Sequence, residues 1–145
     1  MTMKHPGKLP DEAYLYTILD AEFVAAPALE DACESLLLGG ADLIQLRAKK
    51  WSQHEFAKAV EQLLPRCQQY ECPLLVNDRT EVCLDYPELG LHLGQEDESP
   101  VTARNKLGHN RIIGYSTHNV KELQAALKIR HLLSYIAVGP MFPTS

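Results

Sequence analysis

Six short apolar runs alternate with five longer stretches of helical spacing, and no other feature of the chain narrows its fold as far. The runs are YLYTILD (Tyr14 to Asp20), DLIQLR (Asp42 to Arg47), PLLVND (Pro73 to Asp78), LGLHLG (Leu89 to Gly94), RIIGYST (Arg111 to Thr117) and SYIAVGP (Ser134 to Pro140). Helical spacing occupies Ala28 to Leu38, Ser52 to Tyr70, Thr80 to Leu84, Val101 to Leu107 and Val120 to Ile129. The second of these is the clearest. Ser52 stands as N-cap with Glu55 as its capping-box partner, Phe56, Val60, Leu63 and Leu64 share one face, and Pro73 forbids continuation. The apolar runs are continuous rather than strictly alternating, which suits parallel strands covered by helices and joined by right-handed crossovers.

No repeat, low-complexity tract or linker divides the 145 residues. The chain therefore reads as one α/β domain over 1–145, with 1–13 an N-terminal extension and 14–145 the βα units. Two architectures fit: a doubly wound open sheet, or part of a (β/α)8 barrel. The first βα junction, LDAEFVAAP, lacks the glycines of a dinucleotide fingerprint, and no GxxxxGK[ST] occurs, which weighs against a nucleotide fold. A complete barrel takes about 200 residues or more, so six units would make roughly three quarters of one.

Hydrophobic residues make up 46% and charged residues 23%, ordinary values for a soluble domain, and no apolar run approaches the roughly 20 residues of a membrane span. The first residues, MTMKHPGKLPDEAY, hold neither an apolar core nor a small-residue cleavage site, so the sequence carries the expectation of a cytoplasmic protein with no membrane partner. A net charge of -5 argues against nucleic acid as a partner while leaving room for a local basic pocket. The four cysteines form no CxxC pair and no zinc spacing, and read as reduced thiols in helices and their ends.

Polar residues unusual for apolar strands gather at the C-terminal end of every run. Gln45, Arg47 and Lys49 alternate, so an extended backbone points all three to one side, into the mouth of a barrel. Two cations and an amide make a phosphate clamp there; a solvated strand end is the plainer alternative. Asn77 and Asp78 close the third run, an amide able to read a heteroaromatic edge beside a carboxylate able to hold a hard cation, or else an ordinary turn. Asp97, a few residues beyond Gly94, adds a second carboxylate on the neighbouring unit, and one or two carboxylates with substrate phosphate are the usual setting for Mg2+. His92, inside the fourth run, reads as a hydrogen-bonded interior residue rather than a catalyst. In GYSTHN, Gly114 permits close backbone approach, Ser116 offers a hydroxyl to a phosphate or leaving group, and Asn119 caps the next helix.

Taken in order, QLRAK, VNDR, LHLGQED, IIGYSTHN and VGPMFPTS resemble the strand-end motifs of the thiamine phosphate synthase (thiamine-phosphate pyrophosphorylase) family, over Tyr14 to Ser145. The resemblance implies an incomplete TIM barrel of about six parallel strands with intervening helices. It implies a transferase of thiamine biosynthesis that joins hydroxymethylpyrimidine diphosphate to a thiazole phosphate, releases pyrophosphate and gives thiamine phosphate. Mg2+ is the implied cofactor, with Asp78 and Asp97 at the metal positions. Arg47, Lys49 and Ser116 fall at catalytic positions. Gln45, Asn77, Thr144 and Ser145 join them at substrate-binding ones, the last two where the family's thiazole-phosphate loop begins. The family pattern runs on through a second threonine to a lysine and two further strands. The sequence is thus expected to be the first six βα units of a longer synthase, with little activity alone and open sheet edges that invite self-association. A thiazole tautomerase-like relative and a non-catalytic barrel fragment needing its C-terminal part are the alternatives. Asp97 and GPMFPT favour the synthase, since an isomerase holds no diphosphate.

Overall fold

The computed structural model describes Leu9, residues 11–12 and residues 15–144. The chain runs β1 (Tyr16–Asp20), α1 (Leu29–Leu38), β2 (Leu43–Arg47), α2 (Gln53–Gln69), β3 (Leu74–Asn77), α3 (Thr80–Asp85), β4 (Gly90–Leu93), α4 (Pro100–Leu107), β5 (Ile113–Thr117), α5 (Val120–Lys128) and β6 (Tyr135–Val138). Single turns of 3-10 helix at Ala26–Ala28 and Arg130–Leu132 precede α1 and β6. Each expected strand is present and shorter than its run, each expected helix is present to within one residue at either end, and Tyr14 and Ser145 lie outside the described residues.

All six strands are parallel, in the order β1-β2-β3-β4-β5-β6. A doubly wound sheet reverses its strand order at a switch point; this one does not. The sheet also curls. The Tyr16 and Tyr135 hydroxyls, on its opposite edge strands, meet at 2.6 Å. Sequential parallel strands, curl and helical crossovers together make an incomplete TIM-type α/β fold.

Period-two alternation divides the side chains between two faces. Outward lie Leu19, Ile44, Leu46, Leu74, Val76, Leu91, Leu93 and Ile113, packed against Leu29, Cys33, Leu37, Phe56, Val60 and Leu63 of α1 and α2 in the main core. Each fully buried side chain of this size contributes about 1.5–3 kcal/mol by leaving water. The capping box that starts α2 has both halves: Ser52 Oγ accepts from the Glu55 amide at 3.2 Å, and Glu55 Oε2 accepts from the Ser52 amide at 2.8 Å. Asn119 likewise caps α5, its Oδ1 accepting from the Glu122 amide. All four cysteines are buried and free, with the Cys33 and Cys67 sulfurs 3.8 Å apart between α1 and α2.

Inward, a much smaller apolar cluster of Leu43, Leu75 and Ile112 is closed by Leu9 and by the rings of Tyr16 and Tyr135. Above it, toward the C-terminal ends of the strands, the inner face turns polar.

Candidate ligand-binding site inside the curled sheet

A cavity of about 440 Å³ opens at this end of the sheet, lined by Tyr16, Ile18, Gln45, Arg47, Asn77, His92, Ser116, Tyr135 and Ala137. Strand register explains the set. Ile18 pairs with Gln45, Asn77 with His92, His92 with Gly114, Gly114 with Tyr135 and Ser116 with Ala137, so each strand contributes its inward parity at nearly the same height.

The polar groups of this lining bond to one another across all six strands. Asn77 Nδ2 donates to Gln45 Oε1 at 3.0 Å, and Gln45 Nε2 donates to the Tyr16 hydroxyl at 2.8 Å. The Tyr16–Tyr135 pair follows, then Tyr135 to His92 Nδ1 at 2.7 Å, and His92 Nε2 to Ser116 Oγ at 2.7 Å. Gln95 Nε2 fixes the same residue from behind by donating to the Ser116 carbonyl at 2.7 Å. Asn77 Oδ1 is buried and has no partner. Burial pushes the His92 imidazole down to about 4, so it is neutral near pH 7, and burial raises the Tyr16 and Tyr135 hydroxyls above the usual phenol range.

A charged rim surrounds the cavity. Arg47 Nη1 lies 2.5 Å from Asp20 Oδ2, linking the ends of β2 and β1. Lys49 Nζ lies 2.7 Å from Asp78 Oδ2, and Arg79 Nε lies 3.4 Å from Asp78 Oδ1. Asp78 sits at φ 55, a left-handed conformation that Asp tolerates better than most residues. Asp97 Oδ2 accepts from the Gly94 amide at 2.7 Å, which closes the turn after β4.

Gln45, Arg47, Asn77 and Ser116 thus meet in one cavity, as their strand-end positions suggested. Lys49 departs from the expectation that it points with Gln45 and Arg47. β2 ends at Arg47, so strand alternation no longer governs the next residues, and Lys49 turns to Asp78 instead of lining the cavity. Asp78 and Asp97 follow the adjacent strands β3 and β4; among the described residues no group of three or more His, Cys, Asp or Glu side chains gathers around one point. Thr144 is exposed and does not line the cavity, and Ser145 lies outside the described residues.

Sequence reasoning missed Tyr16, Tyr135 and Asp20. Gly114 signalled a close approach but not the residue that makes it. A Cβ built there would lie 1.9 Å from Tyr135 Cζ, so the space that this glycine leaves is filled by a tyrosine ring from its register partner rather than by a ligand. His92 proves interior and hydrogen-bonded on both ring nitrogens, in keeping with its reading as an interior residue.

Comparison with known proteins bears on this geometry. The family described as thiamine monophosphate synthase matches residues 15–145. A thiamine-phosphate synthase of Halalkalibacterium halodurans is 39% identical over 130 residues, covering 90% of this chain and 61% of the relative. One from Clostridium botulinum is 35% identical over 130 residues, covering 90% of the chain and 60% of the relative. Among solved structures, a thiamine phosphate pyrophosphorylase from Pyrococcus furiosus superposes with a TM-score of 0.79 at 29% identity, over 91% of this chain and 62% of that one. The chain spans about three fifths of the length of these relatives.

Proposed function

The chain belongs to the thiamine monophosphate synthase family, and from that membership we propose that its cavity binds hydroxymethylpyrimidine diphosphate for coupling to a thiazole phosphate, with release of pyrophosphate and formation of thiamine phosphate. One observation carries the reading: Gln45, Arg47, Asn77 and Ser116, from three different strands, line a single cavity of about 440 Å³. An arginine and a hydroxyl suit a diphosphate, and a buried amide oxygen with no partner suits an amino-substituted heteroaromatic ring.

The chemistry asks little covalent work of the protein. The bond between the pyrimidine methylene and the diphosphate oxygen breaks with its electron pair going to the diphosphate, and the thiazole nitrogen supplies the pair that replaces it. What the chain must do is stabilise the departing charge and hold the ring in place. Arg47 has five donors, more than the Asp20 carboxylate can use, so it can grip a phosphate while staying anchored. Ser116 and Lys49 add donors, Gln45 and Asn77 hold the ring, and Thr144 and Ser145 begin the thiazole-phosphate contact.

Mg2+ fits the rim. Asp78 and Asp97 supply oxygen ligands at neighbouring strand ends, and Asp78 already holds a cation, Lys49, at 2.7 Å. When bound, the ion would neutralise charge developing on the diphosphate. Lys49, paired with Asp78 at the same rim, would be a further donor within the neighbourhood of the phosphates. The outer edges of β1 and β6 have no strand partner among the described residues, which supports self-association there. Small molecules as partners and a cytoplasmic location belong to the same family reading; separately, no helix among the described residues is long and apolar enough to cross a membrane.

The test is titration with hydroxymethylpyrimidine diphosphate in the presence of Mg2+, alongside thiazole phosphate as control. Arg47→Ala is expected to weaken the diphosphate by tenfold or more, Arg47→Lys by less, and neither to alter thiazole phosphate. Equal losses for both ligands would remove Arg47 from the diphosphate site.

A further inference from the structure

The six-residue chain of hydrogen bonds across the cavity has a direction, and its two ends are chemically opposite. Asn77 donates to Gln45, and Gln45 donates to Tyr16. Either hydroxyl can donate across the 2.6 Å between Tyr16 and Tyr135, but with Gln45 donating to Tyr16 the arrangement that leaves no hydroxyl hydrogen of this pair unused sends the Tyr16 hydrogen to Tyr135. The Tyr135 hydrogen then goes to His92 Nδ1, which must be unprotonated, leaving the single ring proton on Nε2 to be donated to Ser116 Oγ. The Ser116 hydrogen is left over and faces the cavity. At the other end Asn77 Oδ1 is left over as a buried acceptor. Reversing the whole chain would require both amides to turn over and the imidazole to change tautomer, and reversing it only from Tyr16 onward would leave the Tyr16 hydrogen unused; either way Ser116 would be left with spare lone pairs. The cation Arg47 in the lining draws an anion into the same cavity, and an anion needs the hydrogen rather than the lone pairs of Ser116.

We propose that Tyr16, Tyr135 and His92 are positioning residues that hold Ser116 as a hydrogen donor, coupled through one directional relay to an acceptor at Asn77, so that the cavity selects a ligand offering an N–H group at one end and an anionic oxygen at the other. The ligand class rests on the functional reading above; the direction of the relay does not. The neutral state of the imidazole agrees with a relay that carries one proton per link. Because the links are shared, an N–H donor seated at Asn77 strengthens the donor character of Ser116, and an anion at Ser116 strengthens the acceptor at Asn77 by the same factor.

The tautomer of His92 reports the direction without any assay of activity. In the 145-residue chain with nitrogen-15-labelled histidine, long-range proton–nitrogen spectra near pH 7 are expected to show His92 protonated on Nε2 alone. Tyr135→Phe removes the donor to Nδ1, and is expected to give a mixture of tautomers and to weaken inorganic pyrophosphate about two- to tenfold. If that variant does not fold, Tyr16→Phe withholds the preceding hydrogen and is expected to give the same mixture. A wild-type imidazole protonated mainly on Nδ1 overturns the relay, as does a folded Tyr135→Phe chain whose tautomer and pyrophosphate affinity match wild type. Protonation on Nε2 in a chain that binds no pyrophosphate upholds the direction of the relay and sinks the diphosphate reading instead.

Discussion

On the outer face of the sheet, leucines, isoleucines and valines from five strands meet Phe56, Leu63 and their neighbours on the helices with almost no polar atom between them. On the inner face, three buried apolar residues underlie a layer in which nearly every side chain bonds to the next. The outer contacts are non-directional, so they supply stability and tolerate exchange among similar volumes. The inner contacts are directional, so a single wrong atom affects several partners at once. Strand alternation lets one short segment such as LIQLR serve both regimes, with Ile44 and Leu46 out and Gln45 and Arg47 in.

Four experiments can break or sharpen that contrast. The largest effect belongs to the outer face: Phe56→Ala, at the centre of the helix-covered core, should lower unfolding free energy by about 3–5 kcal/mol in urea titrations. A loss below about 1 kcal/mol would mean that the outer layer is not the main source of stability. Second comes the inner face under acid. His92 has a folded value of about 4 against an ordinary 6.5, so between those values the unfolded chain binds more protons and stability falls as pH drops. Relative to a His92→Gln variant, whose difference removes the carboxylate contributions, wild type should lose about 3 kcal/mol between pH 7 and pH 4. Parallel pH curves for the two chains would show that the imidazole is not held neutral.

Third, Gly114→Ala places a Cβ where the Tyr135 ring lies and should lower stability by about 1–3 kcal/mol while displacing Tyr135 from His92. A stable variant with an unchanged His92 spectrum would separate the glycine from the polar layer. The smallest effect should come from Ser52→Ala, which removes one half of the α2 capping box. About 1 kcal/mol of stability should go, with pyrophosphate affinity untouched. A change in affinity here would show that the two faces are coupled.

The outer face was the legible one. Continuous apolar runs, the helical spacing of Phe56, Val60 and Leu63, and the Ser52–Glu55 and Asn119 caps all gave local signals, and the structure realises each of them. Parallel order was legible too, because helical crossovers leave few other choices. Gln45, Arg47, Asn77 and Ser116 could be read as site candidates because polar residues at buried strand ends stand out against their neighbours. Tyr16 and Tyr135 could not. Each is an ordinary strand residue by composition, and only the partner across the curled sheet makes it a relay member. Lys49 misled because alternation was carried past the point where the strand stops. Arg104 shows the same limit elsewhere. It looks like a surface residue of a polar helix, yet it is buried, donating to the carbonyls of Gly108, Arg111 and Leu132.

The Tyr16–Tyr135 bond joins residues 119 positions apart. Contacts of that separation form late in folding, because nearly the whole intervening chain must be ordered before the two ends can meet. Until β6 docks, Gly114 faces an empty slot, His92 lacks the hydroxyl at its Nδ1, and Tyr16 has no acceptor for its hydrogen. A chain with five strands in place therefore has most of its outer core but an inner layer split in two, Asn77–Gln45–Tyr16 on one side and His92–Ser116 on the other. The continuous inner layer does not accumulate strand by strand; its two halves join in a single step, at the Tyr135 hydroxyl.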